Sequence, residues 1–270
     1  VLRSWRENAG LQSRDAATRA GWDTTRLSRV ERGLYRVSAD EVRELATLYG
    51  VSDEHATTEV AAAAELTPGT GWWAPYIRNV TSDYIDFIEL ESTATSIRTQ
   101  HPIVIPGLLQ TPGYAREILT DSATSPERAE MLVTIRQARR SVLAHPERPC
   151  TLHALVPEAA FHAKFSAGPH VGRDQLRHLL DVAGQPNIQV QVVPLSTHPA
   201  YLTKGPMTLL EFGRPWSPVA SVDNVLGGHH EYRPDAVAQL AEEWHQIAAA
   251  ALSVPRSRDL MAHHLERINT

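Results

Sequence analysis

Cysteine is almost missing from this sequence: Cys150 is the single one among 270 residues. The chain therefore forms no internal disulfide and no zinc site built on cysteines. Long apolar runs are lacking as well. The longest, around residues 247–254, falls short of the roughly 18–20 apolar residues that a membrane-spanning helix needs. The opening segment carries Arg3, Arg6 and Glu7 with no uninterrupted apolar stretch, so it does not read as a signal peptide and the expected compartment is the cytoplasm. No G-x-x-x-x-G-K-[ST] loop is present, and no G-x-G-x-x-G follows a strand-like run, which removes the common phosphate cradles. Ser166 lacks a G-x-S-x-G surround and Cys150 has no catalytic motif about it. The paired carboxylates Glu242 and Glu243 read as a solvated helix face. These absences predict a protein that is not an enzyme.

Histidine, by contrast, is plentiful at 13 residues. Its densest cluster is Gly227-Gly228-His229-His230-Glu231, with Asp223 close by. Neighbouring histidines project in different directions and lack the i, i+4 spacing of helical zinc sites. His263-His264 and the scattered His153, His162, His170 and His178 carry still less of a pattern. The expectation is no metal and no cofactor.

What is present is an ordinary globular composition, 42% hydrophobic and 21% charged, long enough for about two domains. The net charge of -5 conceals an uneven distribution. Residues 1–50 hold nine arginines against seven carboxylates and no lysine, and the planar guanidinium suits phosphates and guanine edges.

Within that segment, Leu2, Trp5 and Ala9 share a helical face that Gly10 would end. A second helix fits residues 13–20, with Ala16, Ala17 and Ala20 as small packing residues before Gly21. Asp23 can cap a third, residues 24–32, turning Leu27 and Val30 inward ahead of Gly33. Ser38 and Glu41 form a capping box for a fourth, which carries Val42, Leu45, Ala46 and Tyr49 inward and stops at Gly50. Ser52 can cap a fifth, reaching Leu66. The second and third helices with their glycine turn match the geometry of a helix-turn-helix, whose recognition helix enters the major groove. The candidate DNA contacts are Arg14, Thr24, Thr25, Arg26, Ser28, Arg29, Arg32 and Arg36.

The string Leu2-x-x-x-Arg6-Glu7-x-x-Gly10-Leu11, then Ala17, Gly21, Leu27-Ser28-Arg29-Val30-Glu31-Arg32-Gly33, Ser38 and Leu45-Ala46, resembles the Cro/phage-repressor (XRE) family of helix-turn-helix domains. The resemblance implies that Ser28 and Arg29 face DNA, while Glu31 and Arg32 fix the helix to its neighbours. It departs near the start of the second helix, where the family often has Gln and this chain has Ser13 and Arg14.

Thr67-Pro68-Gly69-Thr70-Gly71 breaks the helical pattern, so the expected division is a helix-turn-helix domain at 1–66, a linker at 67–76 and a larger domain at 77–270. Trp72, Trp73 and Tyr76 are expected to be buried in a core. The larger part reads as a helix over 83–96, a short extended run near 101–105, and helices from Pro112 and over 126–145. The last of these carries Arg128, Arg136, Arg139 and Arg140 as a solvated basic face. Strand-like runs follow at 150–156, 188–193, 207–212 and 219–223, interleaved with helices near 158–165 and 171–183, and helices at 234–252 and 255–268 close the chain. The fold class is thus a mainly α, lambda-repressor-like helix-turn-helix domain followed by a larger α+β domain.

Ile105-Pro106-Gly107-Leu108-Leu109-Gln110-Thr111-Pro112-x-Tyr114-Ala115-Arg116, with Arg136-Gln137 and the stretch from Gln175 to Pro194, resembles the C-terminal domain of unknown function attached to XRE-type proteins in actinobacteria, which include WhiJ-like and antitoxin-like regulators. The resemblance implies a transcriptional regulator that binds double-stranded DNA as a homodimer. Its C-terminal domain would mediate oligomerisation and receive a signal, from a small neighbouring-gene protein or a small-molecule effector. One alternative is an antitoxin-like module that neutralises a small partner protein and binds DNA for autoregulation. Another is a ligand sensor with a pocket lined by Trp72, Trp73, Tyr201 or Trp216.

Overall fold

The computed structural model describes residues 1–31, 35–65, 71–120, 125–146, 148–224 and 227–269. The chain divides into two compact units, Val1–Thr70 with Gly213–Ser217, and Gly71–Phe212 with Pro218–Thr270.

The first unit is helical: α1 (Leu2–Asn8), α2 (Ser13–Arg19), α3 (Thr24–Glu31), α4 (Ala39–Leu48) and α5 (Glu54–Glu65). Its core gathers Leu2, Ala16, Ala17, Leu27, Val30, Val42, Leu45, Tyr49, Val60 and Ala61. Gly10, Gly21 and Gly50 each end a helix at φ 69, a left-handed conformation that a side chain would strain. The Ser38–Glu41 capping box forms in both directions. Two local expectations change. Ala9 is exposed beyond the end of α1, and Arg6 is buried in its place, because Arg6 has an ionic partner inside the unit. At α5 the cap is Asp53, whose Oδ1 accepts from Ala56 N at 2.9 Å, one residue later than the Ser52 expected.

The second unit is α+β. It contains α6 (Ser82–Thr93), β1 (Ser96–Gln100), α7 (Pro112–Thr120), α8 (Pro126–Arg139), β2 (Thr151–Pro157), α9 (His170–Val182) and β3 (Ile188–Val193). These are followed by α10 (Pro199–Leu202), β4 (Met207–Glu211), β5 (Val219–Asn224), β6 (Gly227–Glu231), α11 (Pro234–Ala250) and α12 (Val254–Asn269). The sheet runs β3-β2-β1-β4-β5-β6, parallel across β1, β2 and β3 and antiparallel from β1 outward to β6.

Alternation sends strand side chains into two cores. Leu152, Ala154, Val156, Val190, Val192 and Leu210 join one with Leu176, Leu179 and Met261 of α9 and α12. Leu155, Val193, Met207, Leu209 and Ala220 join the other with Val237, Trp244 and Ile247 of α11. The sheet is thereby covered on both faces, as its parallel strands at the β3 end require.

The helix expected over 83–96 is shorter, and β1 follows it. Ala94 turns to extended backbone, Thr95 N donates to Glu211 O at 2.8 Å, and pairing with β2 and β4 outweighs continued helix. The buried extended run is therefore 96–100, while residues 107–109 form a 3₁₀ turn. β6 falls on the Gly-Gly-His-His-Glu cluster. Trp72, Trp73 and Tyr76 are half-buried and belong to no core, because Trp73 turns its Nε1 outward to Glu89 Oε1 at 3.1 Å. The basic face of α8 is not solvated as expected. Arg139 is buried against Glu91, with both guanidinium-to-carboxylate bonds made at 2.7 and 2.8 Å.

Candidate nucleic-acid interface

The interface is built on the α2–α3 corner. Ala16 and Ala17 present almost no side chain, so α3 packs close with Leu27 and Val30 turned in. The chain leaves α2 through Gly21, with Gly21 N donating to Thr18 O and Trp22 N to Ala17 O at 2.9 Å. Asp23 Oδ1 then accepts from Arg26 N at 2.8 Å, satisfying one of the amides left free at the start of α3.

The far end of α3 is fixed from another element. Arg6 Nε and NH2 donate to Glu31 Oε1 and Oε2 at 2.7 and 3.0 Å, and Arg6 NH1 donates to Leu11 O at 2.8 Å. Both side chains are nearly buried, at 9% and 5% exposure. The hydrogen bonds that Arg6 donates to Glu31 raise the Arg6 pKa above its ordinary value. This geometry gives Glu31 the bracing role that the resemblance implied. α3 is thus held at both ends, and its orientation does not depend on solvent.

With Leu27 and Val30 inward, the outward side of α3 carries Thr24, Thr25, Ser28 and Arg29. Thr24 and Ser28, and Thr25 and Arg29, are spaced four apart and neighbour each other on the helix surface. Thr24 and Thr25 are exposed and Ser28 half-buried, while Arg14 on α2 and Arg36 after α3 are exposed. Arg29 NH1 donates to the Tyr35 hydroxyl, and its guanidinium lies 5.0 Å from the centre of that ring. Tyr35 is 49% exposed, so the pair stands at the surface as a unit.

Arg26 is engaged differently. Its guanidinium lies 4.0 Å above the Trp22 ring and bonds Glu41 Oε1, tying α3 to α4, so its first task is structural. Arg32 lies outside the described residues. Two participants, Trp22 and Tyr35, were not singled out in advance, and Arg6 stood in the family string without a role. Tyr35, between Leu34 and Arg36, had no signal of its own, and Arg6 and Trp22 act through partners that helical spacing does not reveal.

Chemically, hydroxyls and guanidiniums on one short helix suit phosphate oxygens and base edges. In the second unit, Glu158, His162 and His264 bring donor atoms within 4.8 Å of one another. His264 Nε2 already lies 3.2 Å from Glu158 Oε1, and Glu158 Oε2 accepts from Leu195 N at 2.8 Å, which accounts for the cluster as a structural bridge. His230, in the cluster the sequence offered, places Nε2 2.9 Å from Asp83 O and stacks on Phe87.

Comparison with protein families gives two matches. Residues 1–67 match the family described as Helix-turn-helix domain. Residues 84–263 match the family described as Domain of unknown function (DUF5753). No curated protein matches the chain.

Proposed function

Since the chain belongs to the DUF5753 family and carries a helix-turn-helix domain ahead of it, we propose that it is a sequence-specific DNA-binding transcriptional regulator. It acts as a homodimer on an operator with half-sites about one helical turn apart. Thr24, Thr25, Ser28 and the Arg29–Tyr35 pair meet base edges in the major groove, and Arg14 and Arg36 hold phosphates. We assign it no catalytic step. The observation that supports this reading best is α3 itself, capped by Asp23 and anchored through Glu31 to Arg6, with its polar side turned to solvent.

The test is fluorescence anisotropy of the full chain across a salt series, with duplexes selected from a random library compared against scrambled duplex. The expected result is a preference of roughly a thousand-fold or more with a steep salt slope. A library that yields no enriched sequence, with equal weak binding to all duplexes, overturns the reading. Sedimentation equilibrium tests the dimer, and a monomer at every concentration up to that used for binding overturns that part.

A further inference from the structure

The second unit contains a pocket that DNA binding does not use. It has a volume of about 270 Å³ and lies among α6, the segment after β1, α8 and strands β4 and β5. Two arginines one helical turn apart on α8 enter it, and only one has a carboxylate. Arg139 closes on both oxygens of Glu91, and its NH1 donates to the Tyr84 hydroxyl at 3.2 Å. Although burial opposes it, the Glu91 carboxylate holds the Arg139 guanidinium above its ordinary value. Both Glu91 oxygens are thereby bonded to Arg139, and Glu91 reaches Arg136 only through space.

Arg136 has no such partner. Its NH1 donates to Gln110 Oε1 at 2.9 Å, its Nε meets no acceptor, and it forms no ion pair among the described residues. Burial pushes its guanidinium below the ordinary value, opposed by the Tyr84 hydroxyl, which it also hydrogen-bonds, and by Glu91, while Arg139 adds to the lowering. Asp223, on the pocket wall, acts on His101 instead. A guanidinium has five N–H donors and cannot readily shed its proton. Arg136 is half-buried with its Nε closed to solvent, and holding such a group without a counter-ion carries a desolvation cost.

The surroundings are arranged around that charge. Gln110 is buried and held from both ends: its Nε2 donates to Ile105 O at 2.7 Å, and its own carbonyl accepts from Gln137 Nε2 at 3.1 Å. Its Oε1 is thus aimed at Arg136 and orients the fork. At Gly107, an added Cβ would stand 3.3 Å from Arg136 Cδ and 3.6 Å from Arg139 NH1, so the turn lies directly against both arginines. The Ile-Pro-Gly-Leu-Leu-Gln segment that stood out in the sequence is therefore the frame of this pocket. The remaining wall is mixed: Phe87, Ile97, Leu108 and Ile118 supply an apolar part, and Thr99, Thr208, Ser221 and the carboxylates of Asp83 and Asp223 supply a polar one. Trp72, Trp73, Tyr201 and Trp216, the pocket residues suggested by the sequence, do not line it.

We propose that this pocket binds a small organic monocarboxylate, its carboxylate on the free donors of Arg136 and its apolar body against Phe87, Ile97 and Leu108. A carboxylate matches the planar fork and supplies the missing charge, and the apolar side chains on one part of the wall suit an organic body better than a fully hydrated inorganic anion. The site stands independently of DNA binding.

Calorimetric titration and thermal melting of the full chain at pH 7 test it, with benzoate and hexanoate each compared against its neutral amide. Inorganic phosphate is the third probe. Expected is binding and a raised melting temperature with at least one acid, at least tenfold weaker binding of its amide, and no response to phosphate. Arg136→Met is expected to lose that acid's affinity at least tenfold while melting at the same or a higher temperature without ligand. Arg148→Met, at an exposed arginine, is expected to bind as the parent does. The proposal is overturned if neither acid binds, if the amides bind as well as the acids, if phosphate alone binds, or if Arg136→Met keeps the affinity. Should Arg136→Met fail to fold, the acid and amide comparison on the unaltered chain decides.

Discussion

Arg6, on the first helix, closes a two-bond ion pair on Glu31, the last residue of α3, across 25 positions of sequence. The pair sets the orientation of the recognition helix, and its near burial makes each partner dependent on the other. Glu31→Gln leaves the Arg6 charge without its counter-ion and is expected to destabilise the N-terminal unit by about 3–5 kcal/mol. The Arg6→Met, Glu31→Met double variant is expected to recover a large part of that loss, because no lone charge stays buried. Chemical denaturation followed by far-UV circular dichroism checks both, and a single variant as stable as the parent removes the pair from the account.

Arg29 and Tyr35 stand at the surface as one group, so their contributions to binding are expected to be coupled. Arg29→Ala should weaken specific DNA binding by about 1–3 kcal/mol and relax specificity at one position if the guanidinium meets a base. If it meets only phosphate, all sequences weaken alike and the salt slope falls by about one. Tyr35→Phe removes only the hydroxyl that Arg29 bonds, and should cost less than the arginine variant. Affinities of the three proteins across a salt series separate these outcomes, and unchanged binding by Arg29→Ala takes the residue out of the interface.

How much of this was legible depended on the distance over which each residue finds its partner. The four opening helices, the Ser38–Glu41 box and the strand at 188–193 follow from spacing and caps, all local signals. β1 was missed because neither Gly nor Pro separates Thr93 from Ser96, so the expected helix ran on to Ser96 and the extended run was placed at 101–105; only pairing with β2 and β4 makes 96–100 a strand. β6 lacks the β-branched residues that mark strands, so Gly-Gly-His-His-Glu read as a cluster of ligands. The arginines of α8 looked solvated because Glu91, the partner that buries Arg139, lies 48 residues away. Arg14, Thr24, Thr25 and Arg36 needed no distant partner to be recognised as surface groups.

The capping box makes a pH prediction for the first unit. Backbone hydrogen bonding from Ser38, joined by Arg26 despite some burial, holds the Glu41 carboxyl below the usual carboxylate range. A depressed folded-state value contributes stability that is complete above the unfolded value of roughly 4.3 and is lost as the pH falls through the folded one. Glu41→Gln keeps a neutral capping bond, so its deficit relative to the parent measures the charge. That deficit is expected to be largest at pH 7 and to close toward about pH 3 in parallel thermal melts; a constant gap rules the carboxylate charge out.

The last expectation concerns the pair that shares α8 with the proposed ligand arginine. Glu91 and Arg139 are buried at 3% and 6% side-chain exposure, and Arg136 leans on the same carboxylate through space. Glu91→Gln therefore leaves two guanidiniums with no counter-charge, and is expected to cost at least the roughly 3–5 kcal/mol of an ordinary broken buried pair. Arg136→Met placed on that background should restore part of the stability, since only one cation then stays unpaired. Denaturation of the two proteins beside the parent checks this. A double variant no more stable than Glu91→Gln means that Arg136 and Arg139 do not compete for Glu91, and that the pocket carries no surplus positive charge.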